Sequence, residues 1–228
     1  MTIRNALVIG AGSGVGRATA DALTARGVDV LATGHERDAT DPAQVAALLD
    51  EAEPDLVVVA AGTRPRMAPI GEQSWEWFSA PWNVDVRIAF EVGRASLARP
   101  LRAGSTVVIV SSGAGLGGSP LSGGYAGAKR TQMFLAGYLQ SAADSRGLGI
   151  RFAALVPGQL LVGTAIGEAA AAAYGAERGQ SAEAYLKERF PAPLDATGVA
   201  RAVLEITHGE EHRSTTLVAV TGKGLEAL

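Results

Sequence analysis

Three side chains in the middle of this sequence have the types and spacing for proton chemistry: Ser112, Tyr125 and Lys129. Tyr125 and Lys129 stand four positions apart, so on a helix they share one face, one turn from each other. A free phenol ionises near pH 10 and is a sluggish acid or base at neutrality. An ammonium about 4 Å away, at an effective dielectric near 20, favours the phenolate by roughly 4 kcal/mol. A phenol so placed can serve as a general acid and base near neutral pH. Ser112 follows the apolar run 106–110, which reads as a buried strand. Its hydroxyl then emerges at a strand's carboxyl end, where open α/β sheets bind ligands. A single Tyr–Lys pair also arises by chance, so its meaning depends on the elements that hold it.

Those elements alternate between strand and helix. Residues 3–9 read as a buried strand running into Gly10-Ala-Gly12-Ser13-Gly14-Val15-Gly16, and then into an apolar-periodic helix over 17–26. Strand, glycine turn and helix together form a setting for a pyrophosphate: the backbone comes close and the helix start offers N–H donors. A purely structural glycine turn is the alternative. The spacing is Gly-x-x-x-Gly-x-Gly. A second strand over 28–33 ends in Gly34-His35-Glu36-Arg37-Asp38. An acidic residue here accepts from a ribose 2′-hydroxyl, and a cation accepts a 2′-phosphate. With Gly34 directly after the strand and His35 and Arg37 close by, the turn favours NADP, although Glu36 can turn inward and the residues can form an ordinary solvated turn.

Further along, Asp41 and Pro42 open a short helix to residue 50, and 55–60 reads as a strand. A loop and helix over 63–80 carry Trp75 and Trp77, close to Trp82; aromatic clusters of this kind are mostly packing. Asn83 is expected to open a long helix to about residue 99, where an isolated asparagine is ordinarily a cap. After the Tyr125 helix come a strand over 150–156, closed by Pro157-Gly158, and an alanine-rich stretch over 159–193. That stretch reads either as a lid over a small-molecule site or as a surface helix pair. A helix over 196–207 and a strand over 215–220 finish the chain. With no repeat or linker, the expectation is one α/β domain over 1–228, a doubly wound Rossmann fold. Its parallel sheet would have six to seven strands, with helices on both faces.

Composition excludes several classes. A 47% hydrophobic content with mixed charge is that of a folded domain, and a net charge of −3 with no basic cluster offers nothing to nucleic acid. There is no cysteine, and His35, His208 and His212 are scattered, which argues against a metal site. The uncharged stretch 103–128 is interrupted by glycines and Pro120, against a membrane span, and no signal-peptide pattern stands at the start. A cytoplasmic location is expected.

Together these motifs resemble the short-chain dehydrogenase/reductase family over nearly the whole chain. Gly10, Gly14 and Gly16 are similar to its nucleotide loop; Asn83, Ser112, Tyr125 and Lys129 to its catalytic tetrad; Pro157-Gly158 to its Pro-Gly after the sixth strand. The resemblance implies hydride transfer between a nicotinamide cofactor, NADP with NAD as the alternative, and the carbonyl or hydroxyl of a substrate. It implies that Tyr125 exchanges the proton and that Ser112 holds the reacting oxygen. Lys129 would bind the nicotinamide ribose and assist Tyr125, and Asn83 would hold a relay water. Asp38, beside Ala39, falls where the family contacts adenine; Ala61-Gly62 lies near the cofactor; and Thr164 is a candidate for the carboxamide contact. The sequence also departs from the family pattern. Ile9 stands where the family usually has threonine, and Val59-Ala60-Ala61-Gly62 replaces Asn-Asn-Ala-Gly. The short interval 34–54 leaves one helix deleted and the third strand, near Arg37-Asp38, much reduced. A non-catalytic cofactor sensor and a dehydratase or epimerase are the alternative activities. The expected partners are a small, mainly apolar ketone or alcohol and further copies of the chain, paired as a homodimer or homotetramer through small residues such as Ala126, Gly127, Ala136 and Gly137.

Overall fold

The computed structural model describes residues 2–209, 212 and 214–228. Its frame is one seven-stranded sheet. Strands β1 (Asn5–Ile9), β2 (Asp29–Thr33), β3 (Leu56–Val59), β4 (Thr106–Val110), β5 (Arg151–Pro157), β8 (Leu217–Thr221) and β9 (Gly224–Ala227) lie in the order β2-β1-β3-β4-β5-β8-β9. All neighbours are parallel except β8 and β9, which form an antiparallel hairpin at one edge. The reversal of order between β1 and β3 marks the crevice in which such sheets bind nucleotides.

Helices cover both faces because both faces of the inner strands are apolar. On one face, Leu7, Ile9, Val57, Val59, Val107, Ile109, Phe152 and Ala154 pack against α2 (Pro42–Ala52), α4 (Arg87–Ala98) and α6 (Tyr125–Ser145). On the other, Ala6, Val8, Leu56, Val58, Val108, Val110 and Leu155 pack against α1 (Gly14–Thr24) and α9 (Ala196–His208). Most of these side chains are wholly buried, each worth roughly 1.5–3 kcal/mol where it is Val, Leu, Ile or Phe. Two-sided burial is why the strands read as continuous apolar runs and not as alternating ones.

Most helix starts are capped by a side chain. Asp41 accepts from Ala43 N–H at 2.8 Å at α2, and Asp195 from Gly198 N–H at 2.7 Å at α9. Thr164 and Ser181 cap α7 (Ala165–Glu177) and α8 (Ala182–Arg189) in the same way. Ser13, before α1, is extended but makes no side-chain cap. The first turn of α1 is thus left without a capping side chain.

The structure departs from the sequence reading in three places. Residues 34–41 contain no strand, so the third strand of the family pattern is absent and β2 is the sheet's edge. Asn83 does not begin a helix: α3 (Trp75–Pro81) continues through a wider π turn over Trp82–Val86 directly into α4. The wide turn follows directly on Pro81, which cannot donate a helical N–H. Ala136, expected at a helix interface, is wholly buried in the core beneath α6. The stretch 159–193 folds into α7 and α8, tied at its base by a short parallel bridge between β6 (Leu161–Val162) and β7 (Leu194–Asp195).

Candidate active site

Strand ends and helix starts converge on one side of the crevice. Gly10 leaves β1 with a φ of 92°, the left-handed region that favours glycine, and a Cβ there would collide with the backbone of Ala61. Gly16, in the first turn of α1, presses against the Gly10 carbonyl, so a side chain at either place would push the glycine loop out of position. The loop is pinned to the end of β2 by Gly10 N–H and Ala11 N–H, which donate to the Thr33 carbonyl at 2.8 and 2.9 Å. Arg17 adds a brace by donating to the Gly12 carbonyl at 2.5 Å. Sequence reading missed that role, since only the fold brings the guanidinium back over the loop. Gly12 and Ser13 are exposed, Gly14 and Val15 half-buried, as a loop that receives a ligand requires.

The candidate catalytic side chains cluster around β4 and α6. Ser111 donates from Oγ to the Lys129 carbonyl at 2.8 Å and so clamps the strand end to the helix. Ser112, next in line, is half-buried, and its Oγ accepts from Ala114 N–H at 3.3 Å. The short helix α5 (Ala114–Gly117) packs on α6, and there is no room for a Cβ at Gly115, which would meet Arg130 N at 2.8 Å. Tyr125 opens α6 and is 9% exposed; the Lys129 ammonium lies 5.4 Å from the centre of its ring. The one-face arrangement expected from the four-residue spacing is therefore present.

Asn83 is not part of this cluster. It is exposed in the π turn, and Asp85, two positions on and wholly buried, faces the lysine instead. Lys129 Nζ is 3.2 Å from Asp85 Oδ2 and 3.4 Å from the Val110 carbonyl. Asp85 Oδ1 accepts from Thr63 N–H at 2.6 Å and from the Thr63 hydroxyl at 3.0 Å. Gln132 Nε2 donates to the Asp85 carbonyl at 2.9 Å, fixing the π turn against α6. Burial opposes the charge on Lys129, but Asp85 above all, and Tyr125 with it, outweigh burial and hold its proton more tightly than in a free lysine. The sequence carried a signal for this: apolar side chains flank Asp85 in Val84-Asp85-Val86, which is unusual company for a solvated carboxylate.

The end of β2 is where a ribose would lie. Glu36 folds back so that its Oε1 accepts from Gly34 N–H at 2.5 Å and from the Thr33 hydroxyl at 2.9 Å. These bonds, the Gly34 one foremost, hold its carboxyl below the usual carboxylate range. A Cβ built on Gly34 would lie 3.0 Å from Glu36 Oε2 and 3.8 Å from Gly12 Cα, so the carboxylate sits beside the glycine loop. Arg37 points elsewhere, paired with Glu51 at 3.1 Å, and His35 is exposed. Asp38 is exposed and closes a turn on Thr40, whose hydroxyl and N–H donate to Oδ1 at 2.7 and 2.9 Å and lower its carboxyl pKa. Ala39 is buried in the core.

Across the crevice, Gly113 N–H donates to the Pro157 carbonyl at 2.7 Å and Gly158 N–H to the Val220 carbonyl at 2.8 Å, which aligns three strand ends. Thr164 caps α7, and its methyl would lie 3.8 Å from a Cβ on Gly14, which puts it beside the glycine loop. Ala61 is half-buried and Gly62 is exposed, with no room for a side chain at Gly62 beside Asp85 Oδ2. The Tyr174 hydroxyl of α7 is 2.7 Å from Ser119 Oγ, which joins the helical stretch to the loop before Tyr125.

A mostly parallel, doubly wound sheet with a glycine loop at its switch point defines a nucleotide-binding α/β enzyme class. The comparisons sharpen this. A family profile described as enoyl-(acyl carrier protein) reductase matches residues 35–206. The 2,5-dichloro-2,5-cyclohexadiene-1,4-diol dehydrogenase of Sphingobium indicum is 31% identical over 179 residues, 67% of this chain and 70% of the relative. Sorbitol-6-phosphate 2-dehydrogenase from Erwinia amylovora shares the fold at a TM-score of 0.80 and 24% identity, over 95% of this chain and 98% of its own. Levodione reductase does so at 0.77 and 24%, over 96% of each chain. The chain belongs to the short-chain dehydrogenase/reductase family, whose members are oxidoreductases that use a nicotinamide cofactor, NAD or NADP. Among the described residues no helix is long and apolar enough to cross a membrane.

Proposed function

We propose that this protein is an NAD-dependent dehydrogenase/reductase acting on the hydroxyl or carbonyl of a small, mainly apolar molecule, with Tyr125 as the proton donor and acceptor. The observation that carries the reading is the placement of Tyr125 and Lys129 on one face of α6 beside the Ser112 strand end, across from an uncapped glycine loop. The geometry supports the following division of work. The loop residues Gly10, Gly12, Ser13, Gly14, Val15 and Gly16 receive the pyrophosphate at the start of α1. Lys129 would hold the nicotinamide ribose, Thr164 at the start of α7 would line the cofactor, and Pro157-Gly158 would support the nicotinamide end. Ser112 holds the substrate oxygen beside the phenol, and the cofactor supplies or takes the hydride.

On cofactor choice the geometry favours the opposite of the sequence-based expectation. Glu36 brings a carboxylate to the end of β2, where it can accept from ribose hydroxyls and repel a 2′-phosphate, and Arg37 is turned away onto Glu51. The fold therefore supports NAD over NADP. The dehydrogenase from Sphingobium indicum is named for a cyclic diol, which supports a ring alcohol or ketone as the substrate class here. Leu160, Leu161 and Ile166 give the stretch 159–193 an apolar, half-buried edge, in keeping with a lid over such a substrate. The test is equilibrium binding of NADH and NADPH by tryptophan quenching, followed by turnover of cyclic alcohols and ketones by the wild type and Tyr125→Phe. Preferential NADH binding and loss of turnover in the variant are expected. Full turnover by Tyr125→Phe refutes the acid–base role.

A further inference from the structure

The carboxylate facing Lys129 changes what that lysine can do. Asp85 and Lys129 form an ion pair at 3.2 Å with side-chain exposures of 0% and 6%, while the ammonium is 5.4 Å from the centre of the Tyr125 ring. The ammonium is therefore in direct contact with the carboxylate. Asp85 is not free to turn away, because Thr63 holds its other oxygen through two hydrogen bonds. The charged and titratable groups that face Lys129 are Asp85 from the π turn and Tyr125 from its own helix. The elements packed against it contribute neutral groups: the Val110 carbonyl and the Ser111 hydroxyl at the end of β4, and Thr63 after β3. Opposite charges this close and this dry present a dipole to Tyr125 in place of a bare cation.

We propose that Asp85 is a positioning residue that pins Lys129 and offsets its charge, so that the Tyr125 phenolate is harder to form than the lysine alone would allow. The proposal builds on the reading of Tyr125 as the proton donor. The family resemblance puts a neutral asparagine in the tetrad. With an amide at position 85 the ammonium would act on the phenol uncompensated.

The test is a pH titration of the near-ultraviolet tyrosinate band of the purified, full-length protein. Tyr125→Phe in each background is subtracted to remove the other three of its 4 tyrosines. Asp85→Asn is expected to move the Tyr125 midpoint down by about one pH unit, a tenfold gain in phenolate at a given pH, with Asp85→Glu restoring the wild-type midpoint. A midpoint that stays or rises overturns the proposal. Because Asp85→Asn leaves a buried lysine unpaired and can unfold the protein, the double variant Asp85→Asn/Lys129→Met is read as well. If Asp85 offsets most of the lysine charge, its midpoint stays within about half a unit of wild type; a rise of about two units means that the carboxylate is silent. None of these readings needs turnover. A failure here is thus separate from a failure of the oxidoreductase reading, which Tyr125→Phe activity reports.

Discussion

Glu36→Gln is the sharpest perturbation of cofactor choice. The wild-type Oε1 is committed to Gly34 N–H and the Thr33 hydroxyl, which leaves Oε2 to accept from a ribose hydroxyl. Glutamine keeps an amide oxygen for the Gly34 bond, so the turn survives while the charge is lost. A hydrogen bond to a charged acceptor is worth about 1.5–3 kcal/mol, and each 1.4 kcal/mol is a factor of ten. NADH affinity should therefore fall by roughly 10- to 150-fold. NADPH affinity should hold or rise, because the carboxylate no longer opposes its 2′-phosphate. The assay is fluorescence quenching: Trp75, Trp77 and Trp82 are 77%, 41% and 42% exposed, and α3, which carries two of them, leads into the turn that holds Asp85. Equal NADH affinity in wild type and variant, or a wild type that binds NADPH more tightly, would refute the reasoning.

Three further outcomes are expected. Gly10→Ala should abolish NADH binding in the same quenching assay and lower the thermal midpoint, since its Cβ meets the Ala61 backbone and its φ of 92° costs a side-chain residue roughly 1–2 kcal/mol. Light scattering at micromolar concentration should give a dimer or tetramer mass. Phe90 of α4 and Phe134 and Tyr138 of α6 are 47%, 48% and 69% exposed on neighbouring helices, an apolar stripe that a second copy would cover. Lys129 holds its proton more tightly in the fold than in an unfolded chain, where 10.5 applies. Its contribution is fully present below pH 10.5 and is lost as pH rises through the folded value. Urea midpoints should therefore fall more steeply at high pH in the wild type than in Asp85→Asn/Lys129→Met, and parallel slopes would contradict the pairing.

Much of this was legible from the chain alone, because local rules govern it. Apolar, β-branched runs such as 56–59 and 106–110, bounded by turn residues, read as strands buried on both faces. The Gly10 to Gly16 turn between strand and helix announced the loop, and a four-residue interval is enough to align Tyr125 with Lys129 on any helix. The short interval 34–54 likewise told that the third strand was reduced, but not that it is lost altogether. Other features depended on how distant segments meet. Whether Asn83 or Asp85 reaches the lysine turns on the π turn after Pro81, which rotates the helix face by a fraction of a turn and cannot be counted from sequence. Glu36 and Arg37 are neighbours in sequence, and only packing against Gly34 on one side and Glu51 on the other decided which charge faces the cofactor. The sequence by itself determined the sheet, the loop and the tyrosine–lysine pair, because these follow from periodicity and backbone sterics. Tertiary structure alone decided the electrostatics of the site, because charge acts through distance and burial, and neither is a property of the order of residues.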